Sequence, residues 1–171
     1  MKTLRPLLIM ATACLGIWAC SDDDNDNNNN NGNDHAGTYA LTSVEVPVAN
    51  DFDMDGTASA NMMDESPCYL DSEIVLSDDN TYTDEYHYVL HESETGCHTE
   101  EALGTWEVDG EMILLTNTLV EPTPSPIEYH IQDNTLVRVY EGPYPDRDDD
   151  DNPIYTTGTI TLTYTKTVDA N

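Results

Sequence analysis

From residue 37 to the end of the chain, apolar and polar residues alternate in short runs, and clusters of Gly, Asn, Asp and Pro separate the runs. A period of two marks a strand with one buried face, and no segment here sustains the 3.6-residue period of an amphipathic helix. Eight runs can be drawn: residues 37–46, 72–77, 81–90, 104–108, 111–117, 126–131, 135–141 and 154–168. The last is the clearest, with Ile160, Leu162 and Tyr164 on one face and threonines on the other. Eight is the number of strands that closes a small antiparallel barrel. The pattern predicts an all-β fold, an eight-stranded antiparallel up-and-down barrel.

The connections follow their own alternation. Tight turns join runs two and three ("SDDN"), four and five (Asp109-Gly110) and six and seven ("QDN"). The remaining links, 47–71, 91–103, 118–125 and 142–153, are long. Successive links of a meander fall at opposite ends, so the long ones gather around a mouth and the tight ones form a base. The first strand starts at the base, and whatever precedes it attaches there.

What precedes it is of a different kind. Lys2 and Arg5 are followed by an apolar stretch from Leu7 to Trp18, too short to span a bilayer comfortably, which ends in "IWAC" at Cys20. This arrangement resembles the bacterial lipobox, which implies cleavage before Cys20 and lipidation of that residue. The "SDDDND" that follows is similar to the acidic export signal of Bacteroidota surface lipoproteins. The expected organisation is a signal peptide over 1–19, a lipidated Cys20 leading a disordered Asn/Asp-rich tether over 20–36, and a barrel domain over 37–171. The implied address is the outer membrane, with the domain at the cell surface and the lipid as its membrane contact.

Charge narrows the partners. The chain has a formal charge of −29, and removing residues 1–19 leaves three basic residues (Arg138, Arg147, Lys166) against 34 acidic ones, a charge of −31. Nucleic acid and anionic membrane surfaces need basic patches and are excluded. Such a surface favours a soluble monomer and attracts cations. Of the four cysteines, Cys14 leaves with the signal and Cys20 takes lipid, so Cys68 and Cys97 are expected to form a disulfide.

Gly37-Thr38-Tyr39 at the head of the first strand is similar to the Gly-x-Trp signature of lipocalins, with Tyr in place of Trp. "SDDNTYT" and "LGTWEVDGEMILLT" resemble the paired hairpins of small lipocalin-like domains of Bacteroidota lipoproteins. The resemblance covers roughly 37–168 and implies a cup for a small apolar or amphipathic ligand. It departs from true lipocalins in lacking a C-terminal helix and an arginine in the last strand, where Lys166 is the cation on offer.

Candidate sites follow. Asp51, Asp53, Asp55 and Gly56 reproduce the first half of an EF-hand-type loop, although its twelfth position is Met62 rather than Glu. Calcium held by Asp51, Asp53, Asp55, the Thr57 carbonyl and Asp64 or Glu65 stands beside the reading of a solvated acidic loop. "PDRDDDDNP" (145–153) reads as a hydrated loop rather than a second cation site. His87, His91 and His98 read as polar positions on a strand, since zinc needs three or four ligands held from behind. Tyr82, Tyr86, Tyr88 and Trp106 either line a ligand cavity or fill the barrel solidly. No nucleophile elbow, phosphate loop or serine–histidine pair is recognisable, so the chain is read as a binding protein and not an enzyme. The alternative is an interaction module whose calcium-ordered mouth loops contact a protein or glycan.

Overall fold

The computed structural model describes residues 32–89, 96–122 and 124–167. The signal segment and Cys20 lie outside the described residues, as does His91; of the tether, Gly32–His35 form a turn of 3-10 helix. There follow β1 (Gly37–Asn50), β2 (Ser59–Asn61), the one-turn helix α1 (Met62–Glu65) and a 3-10 turn at Pro67–Tyr69. The remaining elements are strands: β3 (Glu73–Leu76), β4 (Thr81–Val89), β5 (Cys97–Asp109), β6 (Met112–Asn117), β7 (Ile127–Gln132), β8 (Thr135–Arg147) and β9 (Pro153–Lys166).

All neighbouring strands are antiparallel, and β1 pairs with both β3 and β9, so eight strands close an up-and-down barrel. The ninth strand, β2, adds to the far half of β1, where Glu45 faces Asn61 and Asn50 faces Ser59. It lies inside the expected first mouth loop, and three residues are too few for an alternation to register. Two other expected loops are largely strand: β5 begins at Cys97, and β8 runs on to Arg147 against a β9 that starts at Pro153. Pro143 and Pro145 disguise that extension. Both are tolerated because β7 pairs with β8 only over Thr135–Val137, so beyond it no strand on that side asks for their missing N–H groups.

Strand β1 does not alternate strictly. Tyr39 and Leu41 are buried, then Val44 and Val46, and the register against β9 shifts between Leu41 and Ser43. This bulge inserts one residue, moves the inward set from odd to even positions, and leaves the Thr42 hydroxyl donating to the Thr163 carbonyl at 3.1 Å. Without it Ser43 and Glu45 would point into the barrel.

The base of the barrel is packed solid. Ile74, Ile113 and Leu136 have no exposed surface, and Tyr82, Trp106, Tyr129 and Tyr164 are almost as deeply buried. Each such side chain contributes about 1.5–3 kcal/mol by leaving water. The Trp106 indole N–H donates to the Ser77 carbonyl at 3.0 Å, which satisfies its one polar atom, and Tyr129 meets Tyr164 edge to face at 6.0 Å. Below them the Tyr39 hydroxyl donates to the His35 carbonyl at 2.8 Å, and Lys166 places Nζ 5.7 Å from the centre of the Tyr39 ring. Gly37 has φ of +143°, and a Cβ there would lie 2.6 Å from Lys166 Cε, so this seal requires glycine.

Gly104 marks the closest backbone approach. A Cβ built there would stand 1.9 Å from the carbonyl oxygen of Thr116 on β6, an atom that cannot move without breaking the β5–β6 ladder. Gly104→Ala is expected to lower stability by about 2–4 kcal/mol. Urea denaturation should show an earlier midpoint at unchanged slope; an unchanged midpoint would mean that the two strands separate at little cost.

Candidate functional site

Above the packed base the barrel is hollow. The inward positions of β4 (Tyr86, Tyr88) and β8 (Tyr140, Tyr144) are tyrosines that remain partly open where the base is closed, save Tyr144, which is buried. An outer chamber of about 400 Å³ lies at the mouth, with Tyr69 from the 3-10 turn and Tyr155 from β9 completing its aromatic wall. An inner chamber of about 450 Å³ lies against Tyr129, Arg138 and Tyr164, and Tyr86, Glu100 and Tyr140 line both. Volumes of this size suit small-molecule sites.

The wall beside the inner chamber is notched. β5 pairs with β4 along Thr81–Val89, but with β6 only from Gly104 to Asp109. β6 and β7 are six residues each, against thirteen for β5 and β8. Above the short pair, Glu100, Glu101 and Ala102 form one side of an opening and Arg138 and Tyr140 the other.

Tyr82 and Trp106, the other two aromatic candidates, sit in the packed base at 2% exposure and line neither chamber. Among residues missed in the sequence, Tyr140 and Arg138 continue the inward phase of Leu136 and were legible by alternation. Tyr144 falls in the stretch read as a loop and Tyr69 in the first mouth link, so pattern could not orient them. Tyr155 lies in the last run, but on the phase opposite to Ile160, Leu162 and Tyr164, so alternation turned it outward.

A disulfide fixes the lid of the outer chamber. Cys68 and Cys97 are bonded with Cα atoms 5.0 Å apart, as expected, and Cys97 proves to be the first residue of β5 rather than part of a loop. The bond holds the turn bearing Tyr69 over the mouth. The Ser72 hydroxyl reinforces it, donating to the Tyr69 carbonyl at 3.0 Å and accepting from the His87 amide at 2.9 Å. Tyr69 meets Tyr86 at 6.3 Å, and Tyr86 stacks on Tyr88 at 5.6 Å. The Tyr88 hydroxyl donates to Glu100 Oε1 at 3.3 Å. Burial raises the pKa of Tyr69, Tyr86 and Tyr140, so these phenols stay neutral at physiological pH.

Arg138 carries its guanidinium 4.5 Å from the centre of the Tyr140 ring. Nearby, Asp84 has one carboxylate oxygen buried without a hydrogen-bond partner. Burial pushes its carboxyl up to about 6; Arg138 pulls it down and Glu100 pushes it further up.

Of the proposed calcium ligands, Asp51, Asp53 and Glu65 converge, with ligand atoms all within 4.8 Å of one another. Glu65 is 3% exposed and accepts from the Phe52 and Ser59 amides, each at 2.8 Å. Asp55 and Asp64 are engaged elsewhere: Asp55 accepts from the Thr57 amide at 2.8 Å and Asp64 from the Ser59 hydroxyl at 2.9 Å. Arg147 clamps this loop to the β8–β9 hairpin, donating to the Phe52 carbonyl at 2.7 Å. The acidic run after Arg147 is a compact turn, in which Asp148 accepts from the Asp150 and Asn152 amides at 2.9 Å; these bonds lower its pKa. His87 is occupied by Glu85 at 3.2 Å and Thr99 at 2.8 Å, and His98 lies against the Tyr88 ring at 5.9 Å. Among the described residues no histidine joins a metal-binding group.

Asp84 gives the barrel a pH signature. In an unfolded chain its carboxyl titrates near 4, so the folded state holds the proton more tightly. The folded barrel is therefore undisturbed by Asp84 below about pH 4, loses stability as pH rises to about 6, and carries a constant cost above that, on the order of 3 kcal/mol. Asp84→Asn is expected to stabilise the protein by about 2–3 kcal/mol at pH 7 and hardly at all at pH 4, measured by denaturant unfolding at both values. An equal effect at both would mean that ionising Asp84 costs the fold nothing.

No protein-family model, curated protein or solved structure matches this chain, so its functional reading rests on its own geometry.

Proposed function

We propose that this chain is a monomeric outer-membrane lipoprotein that binds a small amphipathic molecule inside its barrel and catalyses no reaction. The observation that carries the reading is the pair of contiguous tyrosine-lined chambers above a solid base, sharing Tyr86, Glu100 and Tyr140. A hollow lined by ring carbons and a few fixed polar groups suits a molecule with an apolar body and a polar head. In this reading Cys20 carries the lipid, and the tether joins the barrel at its base through the turn at Gly32–His35. The mouth then faces away from the membrane and, in a protein exported to the cell surface, meets the medium. Intact and native mass spectrometry of protein purified gently from cells tests both parts. The expected chain begins at an acylated Cys20 and retains a non-covalent small molecule. A chain that keeps residues 1–19 overturns the anchor, and a barrel that is empty from cells and takes up no amphiphile overturns the binding reading.

A second reading rests on the convergence of Asp51, Asp53 and Glu65. Calcium at these carboxylates would order the first loop as a surface for a protein or glycan, with the barrel as scaffold. Millimolar calcium is expected to raise the unfolding midpoint beyond the effect of sodium at equal ionic strength, by about 2.7 kcal/mol when the ion is at 100 times its dissociation constant. Asp53→Asn should abolish the calcium-specific part. If sodium reproduces the whole shift, the loop is a solvated acidic surface.

A further inference from the structure

Lys and Arg number three among the described residues, and each rests on an aromatic face. Arg138 lies 4.5 Å from the Tyr140 ring centre, Arg147 5.2 Å from that of Phe52, and Lys166 5.7 Å from that of Tyr39. In this strongly acidic protein the electron-rich ring faces are where positive charge settles. The outer chamber presents the same kind of surface, with Tyr69, Tyr86, Tyr88 and Tyr144 in its wall, and among the described residues no basic side chain lines it. Among the described residues its ionisable lining apart from phenols is the Glu100 carboxylate, and that carboxylate is oriented by the Tyr88 hydroxyl. Tyr86 and Tyr88 lie nearly parallel and Tyr69 is tilted by 53° to Tyr86, so the wall carries ring surface at more than one angle.

We propose that the outer chamber holds the positive head of an organic cation, a quaternary or protonated amine whose apolar body extends into the inner chamber. This names the ligand class for the binding reading above and rests on it. The aromatic faces supply a negative quadrupole, Glu100 supplies a full negative charge at the rim, and the formal charge of −29 raises the local concentration of cations around the mouth. An anionic head would meet Glu100 with no cation among the described lining residues to offset it. Arg138 belongs to the inner chamber, which Asp84 lines from the strand across the barrel.

The test is calorimetric titration of the full-length chain, at physiological ionic strength, with three amphiphiles that share a decyl tail and are kept below their micellar concentrations. The probes are decyltrimethylammonium, decyl glucoside and decyl sulfate. The cation is expected to bind at least about tenfold more tightly than the glucoside, and the sulfate more weakly than either. Glu100→Gln and Tyr88→Leu should each weaken the cation about fivefold and the glucoside by distinctly less, so that the cation's margin over the glucoside narrows. Equal affinity for all three heads, or a preference for the glucoside or the sulfate, overturns the cation site while the binding reading stands. A cation preference that survives Tyr88→Leu intact overturns it too, because the general surface charge would then be its source. Binding of none of the probes overturns the binding reading itself. If either variant fails to fold by circular dichroism, the three probes on the unaltered chain decide.

Discussion

Everything in this barrel depends on β1 serving two edges at once. Its first residues pair with β3 and its other side with β9, and that double duty turns a meander into a ring. Closure sets the circumference, and the circumference sets an interior that inward side chains must either fill or leave hollow. The bulge between Leu41 and Ser43 lets one strand meet both demands, because it restores an apolar inward face where strict alternation would have sent in Ser43 and Glu45.

Given that ring, the contrast between base and mouth follows from strand length and side-chain shape. All eight strands reach the base, and Ile, Leu, Trp and the closely packed Tyr82, Tyr129 and Tyr164 fill it. Only some reach the rim, and there too few strands surround the inward tyrosines of β4 and β8 to close over them. An unpartnered buried hydroxyl or carboxylate is costly, as Asp84 illustrates, so a tyrosine-rich interior favours contact with water or a ligand. The disulfide from Cys68 to Cys97 closes the remaining freedom by fastening the Tyr69 turn to the wall.

Much of this was legible in the sequence, for physical reasons. Period-two runs bounded by turn residues mark strands wherever one face is buried, which is why the eight-stranded ring and its tight turns emerge from the pattern. The pattern fails where burial stops dictating residue type. Glu100 and Glu101 lie on a stretch of β5 with no β6 partner, and Pro143 and Pro145 on a stretch of β8 with no β7 partner; both read as loop. Within the site, Tyr86 and Tyr88 could be singled out, but Tyr82 shares their phase and differs only in height along the barrel. Height is fixed by register, and register is a property of pairs of strands. The convergence of Glu65 with Asp51 and Asp53 was half legible: the acidic spacing is visible, while the choice of Glu65 depends on the turn of α1 that buries it.

The pairing of β1 with β9 also has a consequence in time. These are the first and last strands of the barrel, and the Thr167 amide donates to the Thr38 carbonyl across nearly the whole domain. A chain delivered N-terminus first must hold β1 ready while every other strand arrives, because loop-closure entropy has to be met before this most distant contact forms. Until then two long strand edges are open at once, the condition under which chains pair with each other instead of with themselves. The dense negative charge is distributed over the same chain, and its mutual repulsion keeps neighbouring copies apart during that interval. The acidity that draws cations to the finished barrel thus also protects the unfinished one.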